Sequence, residues 1–191
     1  MLKVVFVAAD FEVRSVIDNA EFGYVKLRNT PFQVWRNATT AIVITGIGLV
    51  NSAAAFHWAV GNFNFQNAIN IGAAGLCSDD DSGKNLLGNF FQINTVKCLE
   101  PYNDRVFNLS EEGKSLVTSS RPVTTSEARL RASKFGEIVD MECYALAYAA
   151  YICGKKLSAL KLVTDFSPDC DIHANILALE HRMADLRSIW I

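Results

Sequence analysis

The residues of this chain whose types and spacing can do chemistry are a handful of acids placed at strand ends. Asp140-Met141-Glu142 stands where a β-branched pair, Ile138-Val139, hands over to Cys143-Tyr144-Ala145-Leu146-Ala147-Tyr148-Ala149-Ala150, which is alanine-rich and uncharged. Carboxylates at such a junction lie at the end of a sheet beside a helix N-terminus, where open α/β sheets bind ligands. The following helix is so apolar that its start should be half buried, and a carboxylate there needs a partner. Asp165 ends the next apolar run, Ser158 to Thr164, and Glu12 lies just past the first strand beside Asp10. Acids on consecutive strand ends suit general acid–base work. Each taken singly also has a plainer reading, since acids at helix starts complement the positive end of the dipole.

Two glycine-bearing segments accompany these acids. Gly46-Ile47-Gly48-Leu49-Val50-Asn51 follows a strand and precedes a helix, as a dinucleotide fingerprint does. Asn51 stands at its third glycine position, and no acid follows at the ribose-binding distance, where the chain reads Ile69 to Ala74. The remaining readings are a tight turn that uses glycine's backbone freedom and a turn that presents N–H groups to a ligand. Gly72-Ala73-Ala74-Gly75 is expected to close a strand, its small side chains letting a flat or sugar-like ligand approach the backbone.

The elements that must position these residues follow from the apolar pattern. Strands are expected over residues 2–9, 41–45, 67–71, 90–96, 116–118, 136–140 and 157–164, with one or two partly exposed strands between Phe22 and Arg36, broken at Asn29-Thr30-Pro31. Helical character runs from Val50 to Val60, over 142–153 closed by Gly154, and over a final amphipathic stretch 172–188. Thr124-x-x-Glu127 reads as a capping box opening a helix to about Lys134. Ser78 to Lys84 is polar and expected as an exposed loop. Short apolar strands alternating with helices predict an α/β sandwich with a largely parallel central sheet. No repeat, low-complexity tract or linker interrupts it, so residues 1–191 are expected to form a single domain.

The totals narrow the class. At 191 residues the chain can bury a large core. Half its residues are hydrophobic and 20% charged, an ordinary globular composition. A net charge of −2 offers no basic footprint for nucleic acid or anionic lipid. Residues 1–9 run straight into Asp10 and Glu12 and read as a buried strand, not a targeting segment, and no apolar run reaches membrane-spanning length. Five scattered cysteines without a Cys-x-x-Cys fit reduced thiols in a cytoplasm. The three histidines share no metal-ligand spacing with them. No metal and no cofactor is expected.

The ordered set of strand–Glu12, Thr45-Gly46-Ile47-Gly48, Gly72-Ala73-Ala74-Gly75, Asp140-Met141-Glu142 and Thr164-Asp165 resembles the purine nucleoside phosphorylase / 5'-methylthioadenosine–S-adenosylhomocysteine nucleosidase superfamily over about residues 3 to 166. The Met-Glu pair followed one strand later by Thr-Asp is its most specific element. The resemblance implies a three-layer α/β/α sandwich around a mixed, largely parallel sheet, usually a homodimer or larger, cleaving the N-glycosidic bond of a small-molecule nucleoside with water or phosphate. It further implies that Glu12 activates the water, Met141 lies under the ribose, Glu142 holds the ribose hydroxyls, and Asp165 hydrogen-bonds or protonates the purine at N7. Ile47, Ala74 and Gly75 match ribose- and base-neighbouring positions, and Val123 falls near the residue whose backbone meets the base edge.

These roles fit the chemistry. Glycoside cleavage passes through an oxocarbenium-like state, which an anion and a positioned water both assist. A purine leaves more readily once protonated, and a partly buried Asp165 with a raised pKa would supply the proton. Phosphorylases of this family hold phosphate with arginines, one just before a Gly-Ser-x-Gly turn; here that neighbourhood reads Asn70-Ile71-Gly72-Ala73. A phosphate dianion without an arginine fork is poorly held, so hydrolysis of a methylthioadenosine-, S-adenosylhomocysteine- or futalosine-like nucleoside is favoured over phosphorolysis, unless Arg14 or Arg36 reaches the site. A nucleoside-binding module without catalysis is the alternative of a different class, and the presence of Glu12 together with Asp165 argues against it. Ser119-Ser120-Arg121-Pro122-Val123 replaces the family's base-stacking aromatic and leaves Arg121 a charge without an assigned role. Phe56 and Trp58 are candidates for core packing or for an apolar subunit interface.

Overall fold

The computed structural model describes residues 1–78, 81–100, 104–166 and 170–191, with residues 81 and 82 described by backbone alone. The chain opens with β1 (Lys3–Val7), whose side chains alternate between two cores: Val4 and Phe6 join one, Val5 and Val7 the other. A strand covered on both faces has to be apolar throughout, which is why this one reads as an unbroken run. A 3-10 turn, Asp10–Glu12, and the short α1 (Arg14–Ile17) follow. Then come β2 (Val25–Lys26) and β3 (Gln33–Arg36), separated near Asn29, which takes φ of 60°. The fully buried β4 (Thr40–Ile44) leads to α2 (Leu49–Asn62), β5 (Asn67–Leu76), β6 (Phe90–Cys98), β7 (Phe107–Asn108) and β8 (Lys114–Thr118). The second half holds α3 (Ser126–Ala132), β9 (Ile138–Asp140), α4 (Cys143–Ile152), β10 (Lys156–Asp165), α5 (Ile172–Leu179) and α6 (Arg187–Trp190).

The strands form one mixed sheet in the order β10-β6-β8-β9-β5-β1-β4-β3-β2, with β7 on β6 and a further ladder between β10 and β5. β4, β1, β5 and β10 make a continuous parallel block, and the β5–β10 ladder runs from Asn67 opposite Lys156 to Gly75 opposite Asp165. Antiparallel pairs occur where β3 meets β4, β6 meets β10 and β9 meets the end of β5. One face of the sheet carries α2 and α4, which also pack on each other and send Phe56, Ala59, Leu146 and Ala150 into the same core. The other carries α1, a 3-10 stretch Glu180–Asp185 and α6, gathered around Met183 and Trp190. These are the three layers of an α/β/α sandwich. Among the described residues no helix is long and apolar enough to cross a membrane.

Three expectations change. Gly72-Ala73-Ala74-Gly75 does not end a strand in a turn; it continues β5 to Leu76, held by ladders to β10 and β9. The cap of α3 is Thr125, whose Oγ1 accepts from the Ala128 N–H at 3.2 Å, because Thr125 is the extended residue before the first helical turn. The C-terminal helix is broken at Glu180, whose carboxylate accepts from the Ser15 N–H and whose carbonyl accepts from the Ser15 hydroxyl; these contacts with α1 accompany a tightening into 3-10 geometry. Phe56 is fully buried and stacks on Phe6 at 5.0 Å, and the partly buried Trp58 packs against Phe32 and Phe63, contacts that fit the core-packing reading. The expected loop 78–84 lies partly outside the described residues; within them Asp81–Leu86 forms 3-10 turns.

Candidate active site

Glu12 closes the 3-10 turn after β1 and is buried. Its carboxylate spans two chain segments, Oε2 accepting from the Ala9 N–H at 3.0 Å and Oε1 from the Ala73 N–H at 2.9 Å. The second bond depends on Gly72: a Cβ there would stand 3.2 Å from Oε1. Burial raises the Glu12 carboxyl above its ordinary range, against the opposing pull of the two peptide donors and of Lys161. A carboxylate with raised proton affinity, held away from bulk water, suits a general base.

Asp140 and Glu142, two residues apart, have different partners. Asp140 ends β9, where Thr118 of the neighbouring β8 donates its hydroxyl to Oδ1 at 2.6 Å and the Cys143 N–H donates to Oδ2 at 2.9 Å. The Thr118 hydroxyl in turn accepts from the Tyr144 N–H at 2.9 Å, fastening the first turn of α4 to the sheet. Beneath Asp140 lies Lys161, its ammonium 2.7 Å from Oδ2 and both side chains buried. Burial works against the Lys161 charge, but Asp140, Cys143 and Glu142 outweigh it and raise the ammonium's pKa above the ordinary value. Asp140 is therefore a structural acid. Glu142 instead accepts from the Gly48 N–H at 2.9 Å and, more weakly, from the Met141 N–H at 3.3 Å. Burial, reinforced by Asp140, pushes its carboxyl up to about 7.

The Gly46-Ile47-Gly48 turn thus serves Glu142. Gly46 and Gly48 adopt φ of 82° and 95°, values that favour glycine, and Asn51 braces the turn by donating to the Ile47 carbonyl at 2.9 Å. The N–H it presents goes to a carboxylate of the protein.

Asp165, at the end of β10, is not solitary. The fully buried Arg129 of α3 donates Nη2 to Asp165 Oδ2 and Nη1 to the Leu76 carbonyl, and the Thr164 hydroxyl donates to Oδ1 at 3.2 Å. A guanidinium has donors only, so it fixes which Asp165 oxygen is engaged. Asp165 lies so close to β5 that a Cβ on Gly75 would stand 2.6 Å from Oδ2. The glycines of β5 make room for two carboxylates of the protein, a use of small residues that the sequence did not disclose.

These groups meet in one cavity of about 310 Å³. Glu12, Ile47, Ala74, Gly75, Val123, Met141, Glu142 and Asp165 all line it, as does Asp140. Arg121 lines it too, whereas Arg14, ion-paired to Asp10 at 3.9 Å, and Arg36 do not. Sequence reasoning missed Phe11, whose ring meets His173 edge-on at 4.7 Å, and the α5 residues Ile172, His173 and Ile176 that complete the wall. It also missed the two buried cations. Lys161 carried a readable signal, a lysine in the middle of an apolar strand. Arg129 had none, being one of two arginines in an unremarkable helix.

No protein-family model matches the chain, and no characterised protein matches it by sequence. Solved structures do match by shape. The 5'-methylthioadenosine/S-adenosylhomocysteine nucleosidase of Helicobacter pylori, bound to a butyl-thio-DADMe-Immucillin-A, superposes with a TM-score of 0.82 at 14% identity, covering 99% of this chain and 97% of that one. Futalosine hydrolase of the same organism gives 0.82 at 13% identity over 99% and 97%. The nucleosidase of Neisseria meningitidis, in complex with methylthio-immucillin-A, gives 0.80 at 17% identity, again over 99% and 97%. The chain shares the fold of these nucleosidases along essentially its whole length.

Proposed function

We propose that the protein is a purine nucleosidase that hydrolyses an N-glycosidic bond of the methylthioadenosine, S-adenosylhomocysteine or futalosine type. The observation that carries this reading is the convergence of three buried carboxylates, Glu12, Glu142 and Asp165, from three separate elements onto one cavity. Glu142, with Met141 beside it, holds the ribose hydroxyls and fixes the sugar's orientation. Glu12 takes a proton from a water whose oxygen bonds to C1′ as the C1′–N9 bond breaks and its electron pair passes to the base. Asp165, steadied by Arg129, meets the base edge at N7. The negative field of Glu12 and Glu142 favours the oxocarbenium-like state between bond breaking and bond making.

Water is the nucleophile in this reading. A phosphate dianion calls for an arginine fork or equivalent donors. The Glu12–Glu142 end has none among the described residues, and its nearest cation, Lys161, is engaged by Asp140. A homodimer, implied by the family resemblance of the sequence, and a cytoplasmic location, which the scattered cysteines fit, belong to the same proposal. The test is to incubate the protein with methylthioadenosine, S-adenosylhomocysteine, aminofutalosine and inosine, with and without phosphate, and follow free base. Release independent of phosphate is expected. Release that requires phosphate would overturn hydrolysis, and binding without release would favour a nucleoside-binding module.

A further inference from the structure

Arg121 is the one arginine among the described cavity-lining residues, and nothing in the scheme above uses it. Its backbone is pinned. The Arg121 N–H donates to Ser119 Oγ at 3.2 Å, the Ser119 N–H to the Asp140 carbonyl at 2.9 Å, and the Ser120 N–H and hydroxyl to Glu100 at 2.8 and 2.7 Å. Pro122 restricts the chain on the other side. The guanidinium is exposed at the cavity and has no hydrogen-bond or ion-pair partner among the described residues. The cavity's acids are all engaged by comparison: Asp165 by Arg129, Asp140 by Lys161, Glu12 and Glu142 by peptide N–H groups.

The cavity has two ends, and Arg121 belongs to the Asp165 end. Val123, two residues on, packs with Val139 and Cys77, and Cys77 follows Leu76, whose carbonyl Arg129 holds. Glu12 and Glu142, the latter held by the Gly48 N–H, make the opposite end. If the acidic end takes the sugar, as the nucleosidase reading requires, the Val123–Val139 end takes the base, with a rigidly based cation facing it.

We infer that Arg121 reads the base at O6 and, of the substrate types proposed above, favours the 6-oxopurine (futalosine) type over the 6-aminopurine methylthioadenosine and S-adenosylhomocysteine types; this rests on the nucleosidase reading. A guanidinium offers donors only. The O6 of a 6-oxopurine accepts from it, beside the N7 that Asp165 addresses, whereas a 6-amino group turns donor against donor. The same contact assists departure. As the C1′–N9 pair flows into the base, a 6-oxopurine spreads that charge to O6, where a fixed cation stabilises it. The attacking water's oxygen ends on C1′, its proton on Glu12, and the departing base gains its proton from solvent.

The test compares kcat/KM for inosine against adenosine and for methylthioinosine against methylthioadenosine, in wild type, Arg121→Ala and Arg121→Gln. A charge-assisted hydrogen bond sets the expected preference for the 6-oxo member at about ten- to a hundredfold in both pairs. Arg121→Ala should collapse it by slowing the 6-oxo substrates alone, with thermal unfolding unchanged because the side chain is exposed. Equal rates, a 6-amino preference, or equal losses on both substrates would overturn the inference. Binding of free hypoxanthine and adenine, measured by calorimetry, separates the two claims. If no nucleoside is cleaved the nucleosidase reading falls, while tighter hypoxanthine binding that Arg121→Ala abolishes still upholds the base preference, and indifferent binding sinks it.

Discussion

Glu142 gives the cavity its sharpest pH signature. Its carboxyl lies near 4.5 in the unfolded chain and is pushed up to about 7 in the folded one, first by burial and then by Asp140. Between these values the native state keeps a proton that the unfolded state has lost, so this residue's effect on stability turns less favourable as pH rises from about 4.5 to about 7 and levels off above. Glu142→Gln, which cannot titrate, should gain stability relative to wild type across that window, read by denaturant unfolding at a series of pH values. A difference independent of pH would show that the residue is not the titrating one. Catalysis should move the opposite way, since an acceptor for two sugar hydroxyls must be ionised. Wild-type kcat/KM should climb through about pH 7, and Glu142→Gln should lose that limb along with about ten- to a hundredfold of the plateau value.

At the scale of elements, β5 does more than hold the middle of the sheet. Two of its glycines lie against the acids proposed for water activation and base contact, and the clearances differ: a Cβ would stand 3.2 Å from Glu12 at Gly72 and 2.6 Å from Asp165 at Gly75. Gly75→Ala should therefore displace Asp165 and lower kcat by about a hundredfold, the scale of losing general-acid or hydrogen-bond help. Gly72→Ala, needing only a few tenths of an ångström from Glu12, should cost much less. Comparable losses from the two would mean that clearance does not set them. The strand–helix order was legible because apolar runs and helical stretches alternate, and the acids were legible because charges interrupt those runs. What stayed hidden depended on partners distant in sequence. Nothing around Arg129 announces Asp165, 36 residues away, and Gly72 to Gly75 look like a turn until β9 and β10 pair with them. The break at Glu180 has the same origin, since Ser15 lies at the far end of the chain.

The whole molecule separates the parts that hold it together from the cavity proposed for the reaction. Trp190, fully buried, donates its indole N–H to the Met183 carbonyl at 2.7 Å, and its own carbonyl accepts from Tyr24 and Asn37. This plug sits in the Val5–Val7 core and lines no part of the cavity. Trp190→Ala should cost about 3–5 kcal/mol of stability while leaving kcat per folded molecule close to wild type. A large fall in kcat at a temperature where the variant remains folded would show that the two regions are coupled. The way Glu12 and Glu142 are held has a consequence for how such a chain changes over time. Their principal donors are the peptide N–H groups of Ala9, Ala73 and Gly48, and a peptide group survives most substitutions of the side chain it carries. Mutational drift can replace most of the surrounding residues, provided the backbone path and two small clearances persist. A catalytic arrangement anchored in this way can outlast nearly all recognisable likeness between sequences.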